Sequence, residues 1–160
     1  AHEQKAIDKT MADIFEIFKK DFKEQQNIKE LVLLHVNEPP YRYKASVACG
    51  DEVAYISFDD GLVYINNYNK SITAAILAHE IAHCSLGHEG AKLQLSGKND
   101  RIEMEYEADK LGLQYFIKAG YSPQDYKLMF NCLDSDGKNN HPQDKKRCDA
   151  IDLVIKGGDL

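Results

Sequence analysis

Between residues 6 and 25, apolar side chains recur every three or four positions. Ile7, Met11, Ile14, Phe15 and Phe18 share one stripe, with Lys and Glu elsewhere. That period predicts an amphipathic helix. The pattern then changes to short β-like runs, Leu31–Val36, Ser46–Cys49, Val53–Phe58 and Leu62–Ile65. Gly50-Asp51 and Asp59-Asp60-Gly61 separate them as turns, so a small, mostly antiparallel sheet is expected. The second half is helical again. Ser71 suits the N-cap of a helix that runs to Leu86 and stops at Gly87. Asp100 with Glu103 resembles a capping box and opens a helix reaching Gly120. Ser122-Pro123 begins a third helix, and His141-Pro142 begins a fourth that ends at Gly157-Gly158. The expected fold class is α+β, in one domain over residues 1–160.

Composition narrows the function classes. At 160 residues the chain suits one core, and no repeat or linker interrupts it. A net charge of -6 leaves no electrostatic footprint for nucleic acid or an anionic membrane. Lys145-Lys146-Arg147 is short, flanked by acids, and reads as solvated surface. The longest apolar run, Ile72–Ala78, is interrupted by Thr73 and falls far short of the ~18 residues of a membrane span. A soluble chain is therefore expected. Of the four cysteines, Cys132 and Cys148 fall near the ends of successive helices and form the plausible pair. Cys84, inside an apolar helix, reads as a free core thiol.

The chemistry begins at His79-Glu80-Ile81-Ala82-His83. Histidines four apart on a helix project from one face and can share one metal ion, and the intervening Glu can reach a water held there. From Ala74 to Ala82 only His79 and Glu80 are polar. A helix so apolar is buried, and burying a carboxylate without a partner costs several kcal/mol. Two core histidines with local hydrogen bonds would leave Glu80 unexplained.

A second signal lies on the next helix. Ile102, Glu105, Asp109, Gly112 and Phe116 are spaced three, four, three and four residues apart and occupy one face. Two carboxylates thus face the core. Read with the histidines, Glu105 is the third zinc ligand, and Asp109 accepts a hydrogen bond from a ligand histidine and fixes its tautomer. Gly112 allows close approach to a neighbouring helix. Glu103 and Glu107 lie off the stripe and read as solvated. His88 follows His79 by nine residues, which on a continuing helix is the opposite side. It also comes one residue early for a metzincin third ligand, so it reads as structural. Asp134-Ser135-Asp136-Gly137 lacks the spacing of a calcium loop and reads as a turn.

These elements resemble the gluzincin peptidases that include HtpX and the CAAX prenyl proteases, over roughly residues 53–152. In that family H-E-x-x-H is followed by E-x-x-A-D, here Glu105-Tyr106-Glu107-Ala108-Asp109. Ala119-Gly120-Tyr121-Ser122-Pro123 resembles the continuation, and His141-Pro142 with Arg147 resembles an H-P-x-x-x-x-R element. Gly61 and the run Leu62, Val63, Tyr64 and Ile65 resemble the edge strand before the active-site helix. The resemblance implies a zincin-like domain with one Zn2+ per chain on His79, His83 and Glu105. It also implies Glu80 as general base and His141 as a transition-state group or a cap on the zinc. The membrane helices of the HtpX and prenyl-protease branches are absent from this sequence, so the soluble, mostly exported branch is the nearer comparison. The expected activity is endopeptidase cleavage of extended or unfolded polypeptide. The alternative is a latent, chaperone-like zinc protein capped by His141.

Overall fold

The structure is a computed structural model, and it describes residues 2–25, 29–40, 45–50, 52–65, 69–88, 97–130, 132 and 143–157. Helix α1 (His2–Gln25) leads into strands β1 (Glu30–Val36), β2 (Ala45–Cys49) and β3 (Val53–Asp59). There follow α2 (Asp60–Ile65), α3 (Lys70–Ser85), α4 (Lys98–Lys118), a 3₁₀ helix (Pro123–Met129) and α5 (Gln143–Gly157). The class is α+β, as expected. No helix among the described residues is long and apolar enough to cross a membrane.

The sheet corrects one expectation. Its order is β1-β3-β2, with β1 parallel and β2 antiparallel to β3. It is therefore mixed rather than mostly antiparallel. β1 ends at Val36 opposite Asp59, and β2 starts at Ala45 opposite Phe58. The chain thus returns along the far side of β3 from the end at which β1 finished. Alternation along a strand reports which face is buried, not which neighbour is adopted.

A second correction concerns Leu62, Val63, Tyr64 and Ile65, which are helical and form no edge strand. The cause is local. The Asp59 carboxylate accepts a hydrogen bond from the Gly61 N–H at 2.7 Å inside the buried turn. This side-chain turn closes the chain into α2 despite four strand-favouring residues.

Helix α3 is central and buried nearly all round. Its Ala74, Ala75, Leu77, Ala78, Ile81 and Ala82 meet Met11, Ile14 and Phe18 of α1 and Ala54, Ile56 and Phe58 of β3 in one core. Its N-cap is Asn69, whose side-chain oxygen accepts from Ile72 N at 3.1 Å, rather than Ser71. Helix α4 starts at Lys98, and Asp100 sits in its first turn rather than at the cap. Asp100 there complements the helix dipole. His35 on β1 lies 3.3 Å from buried Asp60 and 3.8 Å from Asp8 of α1, tying the first helix to the sheet edge.

Two disulfides fasten this frame, Cys132–Cys148 as expected and Cys49–Cys84. The second corrects the reading of Cys84 as a free thiol. Strand β2 runs against α3, which brings Cys49 to a Cα–Cα distance of 5.8 Å from Cys84 across 35 residues of sequence.

Candidate metal centre and cleft

His79 and His83 lie one turn apart on α3 and turn their Nε2 atoms toward each other at 3.0 Å. Glu105 on α4 faces both, with Oε2 at 3.0 Å from His79 Nε2 and Oε1 at 3.4 Å from His83 Nε2. One donor atom from each of the three lies within 4.8 Å of the others.

Helix α4 comes this close because position 112 is glycine. A Cβ there would stand 3.1 Å from the His79 backbone N and Cα and would collide with the Tyr126 hydroxyl. The wall-to-wall contact of α3 and α4 therefore needs a residue with no side chain. Gly112→Ala should destabilise the fold by about 1–2 kcal/mol, although alanine ordinarily stabilises a helix interior relative to glycine. Urea denaturation checks this, and a stabilised variant would show that the helices separate at little cost.

Behind His79, Asp109 places Oδ1 3.0 Å from the ring Nδ1. Arg147 of α5 clamps Asp109 in turn, with Nε donating to Oδ2 at 2.7 Å and Nη2 to Oδ1 at 2.6 Å. The same guanidinium lies 3.3 Å from Glu105 Oε2 and 4.4 Å over the Phe130 ring. Asp109 thus stands behind His79 at contact distance, on the side of the ring away from Glu105. This corrects the reading of Arg147 as solvated surface along with Lys145 and Lys146: its side chain is largely buried and clamps Asp109.

Behind His83 stands a partner that the sequence reading missed. Gly87 takes φ +70° at the end of α3, and the chain doubles back so that His88 Nδ1 lies 3.2 Å from His83 Nδ1. His88 Nε2 meets Glu107 Oε2 at 3.0 Å. Glu107 is therefore engaged rather than simply solvated. The nine-residue spacing from His79 places His88 on the opposite side only if the helix continues, and Gly87 ends it.

The electrostatics favour positive charge at His79. Burial opposes protonation of His79, but the carboxylates of Asp109 and Glu105 override it and push its pKa up to about 9. Burial also opposes the Glu105 charge, yet hydrogen bonds from His79 and His83 hold that carboxyl well below the usual range. Glu80 is raised, chiefly by burial and only partly offset by the two histidines. A half-buried carboxyl with a raised pKa at a cleft suits proton transfer.

Glu80 and His79 open onto a cleft of about 370 Å³, walled by Ala45 of β2, Leu62, Ile76, Met129 and Phe130, with Asp144 and Arg147 at its margin. Leu62 thus reaches the site from a helix, whereas Ile65 is 63% exposed. Tyr126 is fully buried against Gly112, its hydroxyl without a hydrogen-bond partner among the described residues. His141 and the Asp134–Gly137 turn lie outside the described residues. No protein-family model matches the chain, and neither the curated proteins nor the solved structures compared with it give a match.

Proposed function

We propose that the protein is a zinc-dependent endopeptidase with a zincin-like domain. The observation that carries this reading is the convergence of His79, His83 and Glu105, with His79 and the neighbouring Glu80 opening onto one cleft. Two imidazoles and a carboxylate are the donor set of catalytic zinc sites that keep one position open. The backing of His79 by Asp109 suits such a site, because it leaves Nε2 as the free donor.

Zinc bound there would acidify a water molecule and polarise a peptide carbonyl. Glu80 takes the proton of the attacking water and returns it to the departing amine. The peptide lies beside β2, which pairs with β3 on one side only among the described residues and contributes Ala45 to the cleft. Extended segments can pair with such an edge through main-chain hydrogen bonds. The apolar wall of Leu62, Ile76, Met129 and Phe130 then receives a bulky apolar side chain next to the scissile bond. Unfolded polypeptide is the substrate class that presents both features. Two disulfides suit an oxidising compartment, which supports export.

Metal content tests this reading. Elemental mass spectrometry of the purified protein should find about one zinc per chain, and Glu105→Gln should lose most of it after dialysis against a weak chelator. Wild-type protein that takes up no zinc would overturn the proposal. Zinc-loaded protein that binds but never cleaves unfolded polypeptide would favour the latent, chaperone-like alternative.

A further inference from the structure

We infer that His88 and Glu107 are positioning residues that hold His83 in the tautomer able to bind metal, an inference that rests on the metal reading of the site. A carboxylate accepts hydrogen bonds and does not donate them, so the 3.0 Å contact to Glu107 Oε2 puts the His88 proton on Nε2. A neutral imidazole carries one N–H, which leaves His88 Nδ1 as an acceptor. His88 Nδ1 lies 3.2 Å from His83 Nδ1. With His88 neutral, the proton between two ring nitrogens at that distance comes from His83. His83 then keeps its lone pair on Nε2, the atom that faces His79 and Glu105.

His88 is built for this task. It is 4% exposed, its backbone N–H donates to the His83 carbonyl at 2.9 Å, and the Gly87 turn returns it under the helix end. The two metal-facing histidines are therefore backed differently. His79 has a carboxylate directly behind it, clamped by Arg147. His83 has an imidazole between it and the carboxylate of Glu107, so it receives orientation with much less negative charge. A buried histidine kept only for packing would not need its Nε2 oriented by an acid or its Nδ1 aimed at a ligand.

Three variants separate these roles. His88→Phe keeps the ring volume and removes the acceptor, His88→Asn places an amide oxygen near the position of Nδ1, and Glu107→Leu frees the His88 tautomer at a half-exposed site. Zinc affinity is read by competition with a chromogenic chelator. The His83 tautomer is read from ring nitrogen shifts of metal-free protein in alkaline solution, which needs neither zinc nor activity. We expect His88→Phe to weaken zinc binding about 10–100-fold and to mix the His83 tautomers, with His88→Asn restoring most of the affinity. Glu107→Leu should mix the tautomers even if His88→Phe fails to fold. Unchanged zinc affinity in a folded His88→Phe protein, or a His83 proton found on Nε2 in wild type, would overturn the relay. If wild type binds no zinc yet shows the His83 proton on Nδ1, the relay stands and the metal reading falls.

Discussion

Replacing Glu80 by Gln should leave zinc content unchanged and lower the rate of casein cleavage by about 10²–10⁴-fold. Glu80 is not among the three donors that converge, so the amide has no reason to release the metal. The shape of the cleft should survive as well, because the substitution is isosteric. What disappears is the acceptor for the water proton. The raised pKa of Glu80 comes chiefly from burial, which makes its carboxylate a better base for the water proton and lets the acid form hold that proton until the amine departs. The comparison requires wild type and variant at equal zinc loading, with unfolding followed in parallel. A Glu80→Gln protein that keeps its zinc and cleaves at the wild-type rate would remove Glu80 from the mechanism.

Several parts of this site are written locally and could be read from the chain. His79 and His83 share a face because a helix repeats every 3.6 residues, and the apolar stretch Ala74–Ala82 declares that face buried. The stripe Glu105, Asp109, Gly112 and Phe116 is legible for the same reason, down to the close approach that Gly112 permits. Strands β1, β2 and β3 follow from their composition almost to the residue. What stays hidden depends on non-local geometry or on a single hydrogen bond. The four residues Leu62–Ile65 favour a strand by type, and one carboxylate at Asp59 decides otherwise. The Cys49–Cys84 bond needs β2 to lie against α3, which no spacing encodes. Parallel pairing of β1 with β3 leaves no mark in the alternation of either strand. His88 was misplaced by projecting a helix through a residue that terminates it.

The reassignment of the edge strand changes what the disulfides do. Strand β2 now carries the edge proposed to hold substrate, and Cys49 bolts its end to Cys84, the residue after His83. The cleft is thus framed on one side by a strand fixed to the helix that carries His79 and His83. On the other side, Cys132–Cys148 ties the segment after the 3₁₀ helix to α5, which delivers Arg147. Each bond secures an element that reaches the site from a different part of the sequence.

Arg147 carries the largest expected effect on stability. Its side chain is 13% exposed and that of Asp109 is 4% exposed, so the pair is buried and bidentate. Removing one member of a buried pair leaves an uncompensated charge and typically costs 3–5 kcal/mol. Arg147→Met should therefore lower the melting temperature of metal-free protein by roughly 6–20 °C for a chain of this size. Zinc should recover part of the loss, because a cation at His79 and Glu105 offsets the stranded carboxylate from the other side. Arg147→Lys should rescue little, since an ammonium cannot bridge both carboxylate oxygens while also reaching Glu105. The double variant Arg147→Met/Asp109→Leu separates charge from function. It removes both charges, so stability should return toward wild type, while zinc affinity should stay weak because Nδ1 of His79 has lost its acceptor. An Arg147→Met protein within about 1 kcal/mol of wild type would mean that His79 alone satisfies Asp109, and that the clamp contributes orientation without stability.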